Sequence, residues 1–414
     1  MKKVDFSAQV TNKLAKSVLR SLGRITLAVV LPLFFSSSSC ANQKLSNVGL
    51  KKAETQLSGL RDVATKLNKI PRSTNPDKSV KWIEEPYDWT EGFWSGTCWM
   101  MYDFSKDKKW KDAAIESQKI FLEHKNLTND HDLGFIFNNS YGLAYKITGD
   151  NQYKQVLIDA ANSLITRFNP KVGCIQSWDV TDNWQSLRGW KFPVIVDNLM
   201  NLEMLFEVSK LTGDNKYREI AITHANTTLK NHFRPDASSY HVVDYDPETG
   251  AVLKRVTAQG YANESAWARG QAWALYGYTM CYRYTNDKKY LDFAQRVATF
   301  ILNHPNYPAD GVPYWDFNAP DIPNAIRDAS SGAIMASAFL ELCKYTDNKY
   351  LANAQHILKS LASDKYAAKP GENGNFILKQ SVGSLPHGRE VNVPLNYADY
   401  YFLEALTRLK EMNL

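Results

Sequence analysis

The stretch ARGQAWALYGYTMCYRYTNDKKY, residues 268–290, joins one helix to the next through a tight polar turn. Its body places apolar and aromatic side chains at the spacing of three and four residues that is typical of a helix. Asn286 and Asp287 suit a turn followed by an N-cap, and Tyr290 lies where it can pack against the entering chain. The stretch therefore predicts a helix, a tight turn and the start of a second helix.

The same turn pattern occurs five times along the chain. The five segments are DFSKDKKW (103–110), ITGDNQY (147–153), LTGDNKY (211–217), YTNDKKY (284–290) and YTDNKY (345–350). Each segment follows one helical stretch and precedes another that is amphipathic. The repeating unit is therefore a helical hairpin whose tight turn is always on the same side.

The helices before and after these turns differ in composition. Those before the turns are rich in Gly, Ala, Ser and aromatic residues with almost no charge, which predicts burial on most faces. Those after the turns carry Lys, Glu and Asp on one side, which is typical of an outer layer. The stretch YADYYFLEALTRL (397–409) is a sixth inner helix, and residues 44–69 are its outer partner. Six inner and six outer helices predict an all-α fold, the closed (α/α)6 barrel.

An open superhelix of helical hairpins is the alternative architecture. Its repeats usually have constant length, whereas successive turn aromatics here lie 43, 64, 73 and 60 residues apart. The extra residues fall at the end of the helices opposite to the tight turns. We call this end the rim and the other end the closed face. Long loops gathered at one end of a rigid scaffold are where a site is expected. One of them, residues 238–256, alternates enough around DPETG to predict a small β-hairpin.

The first 39 residues have the layout of a secretory signal. Basic residues precede an apolar run, residues 25–35, that is too short to span a bilayer. Cys40 follows four serines, as in a bacterial lipoprotein signal, where the cysteine is lipidated after cleavage. A signal peptide that is cleaved nearby without lipid is the alternative. We therefore expect a signal peptide at 1–39, a single (α/α)6-barrel catalytic domain at 40–414, and a location in the periplasm or at the outer membrane.

Charge and cysteine content exclude several classes of function. The first 39 residues carry six of the 49 Lys and Arg residues and one of the 43 Asp and Glu residues, so the rest has a net charge of +1. This near-neutral remainder argues against nucleic-acid binding and against contact with a membrane other than through Cys40. The four other cysteines show no CxxC spacing, which indicates buried thiols rather than a metal site or a disulfide framework.

Polar and aromatic residues cluster where the inner helices begin, so their side chains should share one cavity at the rim. The candidates on helix starts are Trp94, His131, Asp132, Asp197, Arg269, Trp273, Asp328 and Asp399, and those on loops are Trp178, Trp184, His241, Thr257 and Gln259. An Asp at a helix start is usually a cap, which suits Asp328 and Asp399 and leaves Asp132 open. The tryptophans suit either core packing or stacking on sugar rings.

Asp197 is the strongest candidate for chemistry. It lies between FPVIV and NLMNLEMLF, so its carboxylate should be buried, and burial raises the pKa of a carboxyl toward that of a general acid. A core Asp that is satisfied by the backbone or by an arginine is the alternative. The chain has no P-loop, no GxGxxG, no nucleophile elbow and no HExxH. A polar, aromatic pocket with two carboxylates indicates carbohydrate chemistry by paired acids.

The motifs of the rim resemble a known family. In order they are DWTEGFWSG, HDLGF, VDNLMNL, SSYHVVDYDPETG, SAWARGQAWALYGY, YWDF and ADYYFLEAL, and they resemble the unsaturated glucuronyl hydrolases of glycoside hydrolase family 88 over about residues 50–412. The resemblance implies an (α/α)6 barrel without a cofactor. It also implies removal of a 4,5-unsaturated uronic acid from lyase-made oligosaccharides, by adding a proton at C4 and water at C5.

The resemblance also implies roles for individual residues. Asp197 matches the family's general acid/base and Asp132 its second essential aspartate. The residues that match substrate contacts are Trp94, His131, Trp178, His241, Thr257, Gln259, Arg269 and Trp273. Arg269 is expected to bind the uronate carboxylate bidentately. No metal ligand is implied.

Two stretches depart from the family pattern. In KQSVGSLPHGREVNVP (379–394), Leu385 and His387 stand in place of a close basic residue, so a preference for sulfated sugars is not implied. The insert DVTDNWQSLRGW (179–190) is particular to this chain. Two alternatives stay open: a rhamnogalacturonan-type unsaturated galacturonyl hydrolase, and a sugar-binding lipoprotein without catalytic activity.

Overall fold

The structure is a computed structural model that describes residues 42–412, and the predicted signal peptide and Cys40 lie outside the described residues. The inner helices are α2 (Glu91–Ser105), α4 (Leu143–Thr148), α6 (Leu202–Thr212), α8 (Ala268–Thr285), α10 (Ala329–Cys343) and α12 (Asn396–Glu411). The outer helices are α1 (42–67), α3 (Lys108–Ile120), α5 (Asn151–Ile165), α7 (Asn215–Asn231), α9 (Lys288–Asn303) and α11 (Leu351–Leu361).

The inner helices close into a ring, which confirms the (α/α)6 barrel and rules out the open superhelix. Each inner helix, together with the helical segment that leads into it, packs against the next, and α12 packs back against α2. The N-terminal helix predicted from residues 44–69 is present as α1, and its Gly49 lies against Leu406 of α12. No helix in the described residues is both long enough and apolar enough to cross a membrane.

Two inner helices begin irregularly, which the sequence pattern does not indicate. A π-helical segment, Gly134–Gly142, leads into α4, and a 3₁₀ segment, Val196–Asn201, leads into α6. The two segments touch, because the backbone N–H of Phe135 donates to Oδ1 of Asn201 at 2.9 Å. Irregular helical turns of this kind often mark functional sites. Here Asp197 lies in the 3₁₀ segment, and Asp132 lies two residues before the π-helical segment.

Four of the five predicted turns share one hydrogen-bonded arrangement. The residue before the cap is in the left-handed region, and the cap aspartate accepts the backbone N–H two residues later, at Asp107, Asp150, Asp214 and Asp287. The fifth turn differs, because Asp347 and Asn348 are both left-handed and α11 begins without a side-chain cap. The turn aromatics are all buried, at Trp110, Tyr153, Tyr217, Tyr290 and Tyr350. These local interactions end each inner helix and start its outer partner.

Buried charges hold the inner helices together near the closed face. Glu341 is only 2% exposed and lies 3.2 Å from Nη1 of Arg283 and 2.8 Å from Nη1 of Arg408. Arg283 also pairs with Glu203 at 2.6 Å. These residues come from α10, α8, α12 and α6, so the network links four inner helices. The four cysteines of the described residues are buried and unpaired, as predicted.

Short antiparallel strands lie in the loops of the rim. They pair as β1 (Pro71–Thr74) with β2 (Val80–Trp82), β3 (Phe168–Asn169) with β4 (Cys174–Ile175), and β8 (Ser381–Ser384) with β9 (Arg389–Val393). The predicted hairpin is confirmed as β6 (Val242–Tyr245) and β7 (Val252–Val256). A further strand that was not predicted, β5 (Pro193–Ile195), pairs with β6. This third strand ends two residues before Asp197 and so fixes the position of Asp197 at the rim.

Candidate active site

Strand pairing brings Asp197 beside His241. β5 ends at Ile195, which pairs with Val242 of β6, and the N–H of Val196 donates to the carbonyl of His241 at 3.0 Å. The next residue is Asp197, and its Oδ2 lies 3.7 Å from Nε2 of His241. Both side chains are buried. The sheet therefore places a carboxyl and an imidazole face to face at the start of the third inner helix.

The backbone around His241 fixes the position of its ring proton. Nδ1 lies 3.0 Å from the N of Ala258 and 3.1 Å from the N of Gln259, and both of these N–H groups donate to it. Because Nδ1 accepts two hydrogen bonds, the proton of the neutral ring must lie on Nε2. Burial lowers the pKa of His241 well below its usual value, and the charge of Arg269 lowers it further. His241 therefore presents a neutral N–H donor toward Asp197.

Burial makes Asp197 a weak acid. It raises the pKa of Asp197 to about 7, against the lowering effect of Arg269, and the charge of Asp132 adds to the rise. Such a carboxyl is partly protonated near neutral pH. It can give a proton to a substrate and take one back in the same catalytic cycle. The expectation that Asp197 is buried is confirmed, and its role as a general acid stays a prediction.

Asp132 lies just before the π-helical segment and is held by Asn201. Nδ2 of Asn201 is 3.3 Å from Oδ1 of Asp132 and 3.3 Å from Nδ1 of His131. Burial raises the pKa of Asp132 well above its usual value, and Asp130 adds to the rise. Burial lowers the pKa of His131, so this ring is neutral. The second carboxyl of the site is therefore also harder to ionise than an exposed aspartate.

Gly134 permits this close approach. A Cβ on Gly134 would lie 2.4 Å from Cα of Asn201, which no packing can accept. The glycine thus brings the π-helical segment against the 3₁₀ segment that carries Asp197. Asn201 itself was missed in the sequence. Its signal was a polar residue in the mostly apolar run that follows Asp197.

Three neighbouring side chains have the donor types of a metal site. Ligand atoms of Asp130, His131 and Asp132 lie within 4.8 Å of one another. However, Oδ1 of Asp130 already accepts the backbone N–H of Asp132, and His131 and Asp132 both face Asn201. The geometry therefore explains these residues as a hydrogen-bonded group without an ion. The expectation of a site without a metal stays a prediction.

Arg269 has a different set of partners from the bidentate clamp that was expected. Nη1 donates to Oδ2 of Asp328 at 3.2 Å and to the carbonyl of Val382 at 2.5 Å. Nη2 donates to Oε1 of Gln259 at 2.9 Å and to the carbonyl of Gly383 at 2.5 Å. Both terminal nitrogens thus already have protein partners, and the bidentate contact with a uronate stays a prediction. Arg269 instead ties three rim segments together.

Two tryptophans expected to contact substrate are buried. Trp273 is fully buried, with ring centroids 5.1 Å from Phe135 and 5.3 Å from Tyr401. Such a ring packs as a core residue does and offers no open face for stacking. Its Nε1 has no hydrogen-bond partner among the described residues. Trp94 is also buried, at 3% exposure. Direct substrate contact by these two residues stays a prediction. For Trp273, the atom without a hydrogen-bond partner, Nε1, is the one that could make it.

The remaining predicted contacts lie around His241. The ring of Trp178 is 6.0 Å from that of His241, and the backbone of Trp178 bridges to Asp130. Gln259 faces Arg269, as described above, and the Oγ1 of Thr257 accepts the N–H of Gly260 at 2.8 Å. The structure therefore groups Trp178, His241, Thr257 and Gln259 on one side of Asp197.

The two aspartates predicted as caps differ. Asp328 caps α10 by accepting the N–H of Ser330, and it also accepts from Arg269. Asp399 is not a cap, so that prediction is wrong. Its carboxylate accepts the N–H groups of Ile377 and Leu378 at 2.7 and 2.8 Å, which fixes the start of the β8 segment. Its partners lie more than twenty residues away and gave no local signal.

The chain is similar to known proteins over most of its length. The model described as Glycosyl Hydrolase Family 88 matches residues 63–411. A Formosa agariphila protein named unsaturated glucuronyl hydrolase is 45% identical over 403 residues, which cover 94% of this chain and 99% of that protein. The crystal structure of an unsaturated glucuronyl hydrolase specific for heparin is 48% identical, with a TM-score of 0.85, and covers 89% of this chain and 98% of that one. A mutant Streptococcus agalactiae enzyme complexed with dGlcA-GalNAc6S is 32% identical, with a TM-score of 0.74, and covers 88% and 91%.

Proposed function

Because this chain belongs to glycoside hydrolase family 88, we propose that it removes a 4,5-unsaturated uronic acid from the non-reducing end of lyase-made oligosaccharides. The observation that carries the proposal is the buried Asp197 carboxyl, with a pKa of about 7, beside the N–H of a neutral His241. The proposed substrates are oligosaccharides derived from glycosaminoglycans, since relatives are named for heparin and are complexed with dGlcA-GalNAc6S. The family assignment also favours this reaction over that of a galacturonyl hydrolase and over a binding protein without activity.

In the proposed reaction, the C4=C5 bond of the sugar is hydrated. Protonated Asp197 gives its proton to C4, and positive charge develops at C5 and the ring oxygen. Water adds to C5 and passes a proton to the Asp197 carboxylate, which restores the acid. The resulting hemiketal opens to a C5 ketone, and the hemiacetal left at C1 then releases the alcohol of the next sugar. The sum is one water added and one glycosidic bond broken.

The neighbours of Asp197 support this cycle. The N–H of His241 can stabilise the carboxylate electrostatically after proton transfer, because Nε2 lies 3.7 Å from Oδ2, just beyond hydrogen-bond distance. The charge of Asp132 raises the pKa of Asp197. We propose that Asp132 positions the water or a substrate hydroxyl. Asn201 fixes Asp132 through its amide.

The test follows the ultraviolet absorbance of the conjugated double bond. Purified protein is incubated with lyase digests of heparin, heparan, chondroitin, hyaluronan and an algal or bacterial polysaccharide. Hydration should abolish the absorbance in at least one digest, and Asp197→Asn should be slower by about 10²-fold to 10⁴-fold. The exposed Asp364→Asn is the matched control. Unchanged absorbance in every digest would refute the proposal.

We also propose that residues 1–39 are removed during export and that Cys40 is lipidated, which places the enzyme in the periplasm or at the outer membrane. The support is the order of basic residues, apolar run and cysteine in the sequence. Growth with a labelled fatty acid should label the wild type but not Cys40→Ser. An unlabelled wild-type protein would leave an ordinary cleaved signal as the answer.

A further inference from the structure

The insert at residues 179–190 forms an ordered loop on the rim. Nδ2 of Asn183 donates to the carbonyl of Asp179 at 2.7 Å, and the N–H of Ser186 donates to Oδ1 of Asn183 at 2.9 Å. A short 3₁₀ turn, Ser186–Arg188, follows and ends at Gly189 in the left-handed region. The loop therefore holds its own shape, and the side chains on it have fixed positions.

A row of indole rings leads outward from the candidate active site along this loop. The ring of Trp178 lies 6.0 Å from His241, and the ring of Trp184 lies 5.3 Å from Trp178. Trp190 is 5% exposed, and its ring packs 5.9 Å from that of Trp178 and 5.8 Å from that of Trp184. Trp184 is 41% exposed. An enzyme that takes the terminal sugar into its pocket leaves the following sugars pointing outward. The exposed ring of Trp184 is where the second sugar would pass.

The loop meets a second rim segment at Trp184. The ring of His387, in the turn between β8 and β9, lies 5.4 Å from Trp184. Nδ1 of His387 is 2.7 Å from Oγ of Ser384, which ends β8. Arg269 in turn binds the carbonyls of Val382 and Gly383 in β8. The two rim segments that meet at Trp184, residues 179–190 and 381–393, are thus connected to the inner helices.

Arg188, on this part of the rim, has no acidic partner in the part of the chain that the structure describes. The guanidinium of Arg188 lies 5.2 Å from the ring of Trp184 and 5.3 Å from that of Trp190, and it donates to the carbonyl of Thr257 at 3.1 Å. Within the described residues, Arg188, Lys254 and Arg389 have no carboxylate within 4.0 Å. Among the nearby acids, Glu390 pairs with Arg72 and Asp179 with Arg167, and Asp182 of the same loop has no cationic side chain of residues 42–412 within 4.0 Å. A cation held against aromatic faces and left without an acidic partner suits an anionic ligand.

We propose that Trp184 and Arg188 form a binding subsite for the second sugar of the substrate, and that this subsite selects a sugar with an anionic substituent. The ring of Trp184 stacks on the sugar, and the guanidinium of Arg188 binds a sulfate ester or a carboxylate on it. This inference rests on the proposed function. It adds a specificity determinant that the insert supplies to this chain.

The experiment compares substrates that share the terminal sugar and differ in the second one. The four substrates are the methyl glycoside of the unsaturated uronate and three disaccharides, whose second sugar is neutral, sulfated or carboxylated. Trp184→Ala should raise KM about tenfold for all disaccharides, which is the loss of one good stacking contact, and change KM less than about twofold for the methyl glycoside. Trp184→Phe should lie in between. Arg188→Gln should raise KM only for the anionic disaccharides, and Leu187→Ala, an exposed change in the same loop, should alter nothing.

The outcomes separate the inference from the proposed function. If the wild type hydrates none of the four substrates, the proposed function fails. If it hydrates them, and Trp184→Ala affects the methyl glycoside as much as the disaccharides, the loop supports the terminal site and the subsite is refuted. Equal KM values for neutral and anionic disaccharides in wild type and Arg188→Gln would refute the charge selection. The sulfated and carboxylated arms show which anion is preferred.

Discussion

Asp197→Asn should stabilise the protein at alkaline pH, although it removes the proposed acid. Asp197 is buried beside Asp132, and this environment raises its pKa to about 7 from 3.8. Ionising the carboxyl inside the protein therefore costs more than ionising it in the unfolded chain. Asn resembles the protonated carboxyl in shape and carries no charge. The variant should escape the cost that the wild type meets as the pH rises.

The magnitude follows from the difference between the two pKa values. For a carboxyl whose folded pKa is raised, stability is highest below the unfolded pKa and is lost as the pH rises to the folded pKa. Between about pH 5 and about pH 8 the unfolded carboxyl is ionised throughout, whereas the folded one gives up its proton near pH 7. Each unit of pH below the folded pKa corresponds to about 1.4 kcal/mol, so the wild type loses about 2.5 kcal/mol across this range through Asp197 alone.

Urea denaturation at the two pH values measures this difference. The free energy of unfolding of Asp197→Asn minus that of the wild type should increase by about 2 to 3 kcal/mol from about pH 5 to about pH 8. The exposed Asp364→Asn is the control and should give the same difference at both. A change of less than about 0.5 kcal/mol for Asp197→Asn would mean that the carboxyl is already ionised at acid pH. The reasoning that makes it a neutral-pH acid would then be wrong.

Four further predictions concern the site and the scaffold. The rate of uronate hydration at limiting substrate should fall as the pH rises above about 7, because Asp197 then loses its proton; a rate that keeps rising would contradict this. Gly134→Ala should lower the free energy of unfolding by more than about 2 kcal/mol, measured by urea denaturation, because its Cβ would meet the backbone of Asn201. Asp214→Ala should lower it by about 0.5 to 2 kcal/mol through loss of an N-cap, with kcat unchanged as the check that the rim is intact. A chelator should leave the rate unchanged, and a loss restored by a divalent cation would point to a metal at Asp130, His131 and Asp132.

The scaffold was predictable because its signals are local. The turn at Asn286 and Asp287 is determined by backbone preferences and one side-chain hydrogen bond within two residues. The same holds for the turns at Asp107, Asp150 and Asp214. The closing of the ring followed from counting such units. The irregular starts of two inner helices were not predictable, because they depend on a contact between Phe135 and Asn201.

The site was predictable only in part, for the opposite reason. Asp197 was found because its apolar flanks lie beside it in the sequence. Arg269 lies at the rim, as predicted. Its partners Asp328, Val382 and Gly383 lie 59 to 114 residues away in the sequence, so the hydrogen bonds that occupy its terminal nitrogens could not be foreseen. The tautomer of His241 depends on two backbone N–H groups that only the folded β6–β7 hairpin delivers.

The start of α1 and the end of α12 both lie at the closed face, which has a consequence for how a lipid-anchored enzyme would meet its substrate. Asn42, where the described chain begins, bonds Gln355, which lies one turn into α11 from its tight turn. α12 likewise finishes on the closed face, since inner helices run from the rim to the tight turns. A lipid on Cys40, two residues before Asn42, would hold the molecule by its closed face. The rim would then face away from the bilayer, where oligosaccharides in solution can reach the candidate active site.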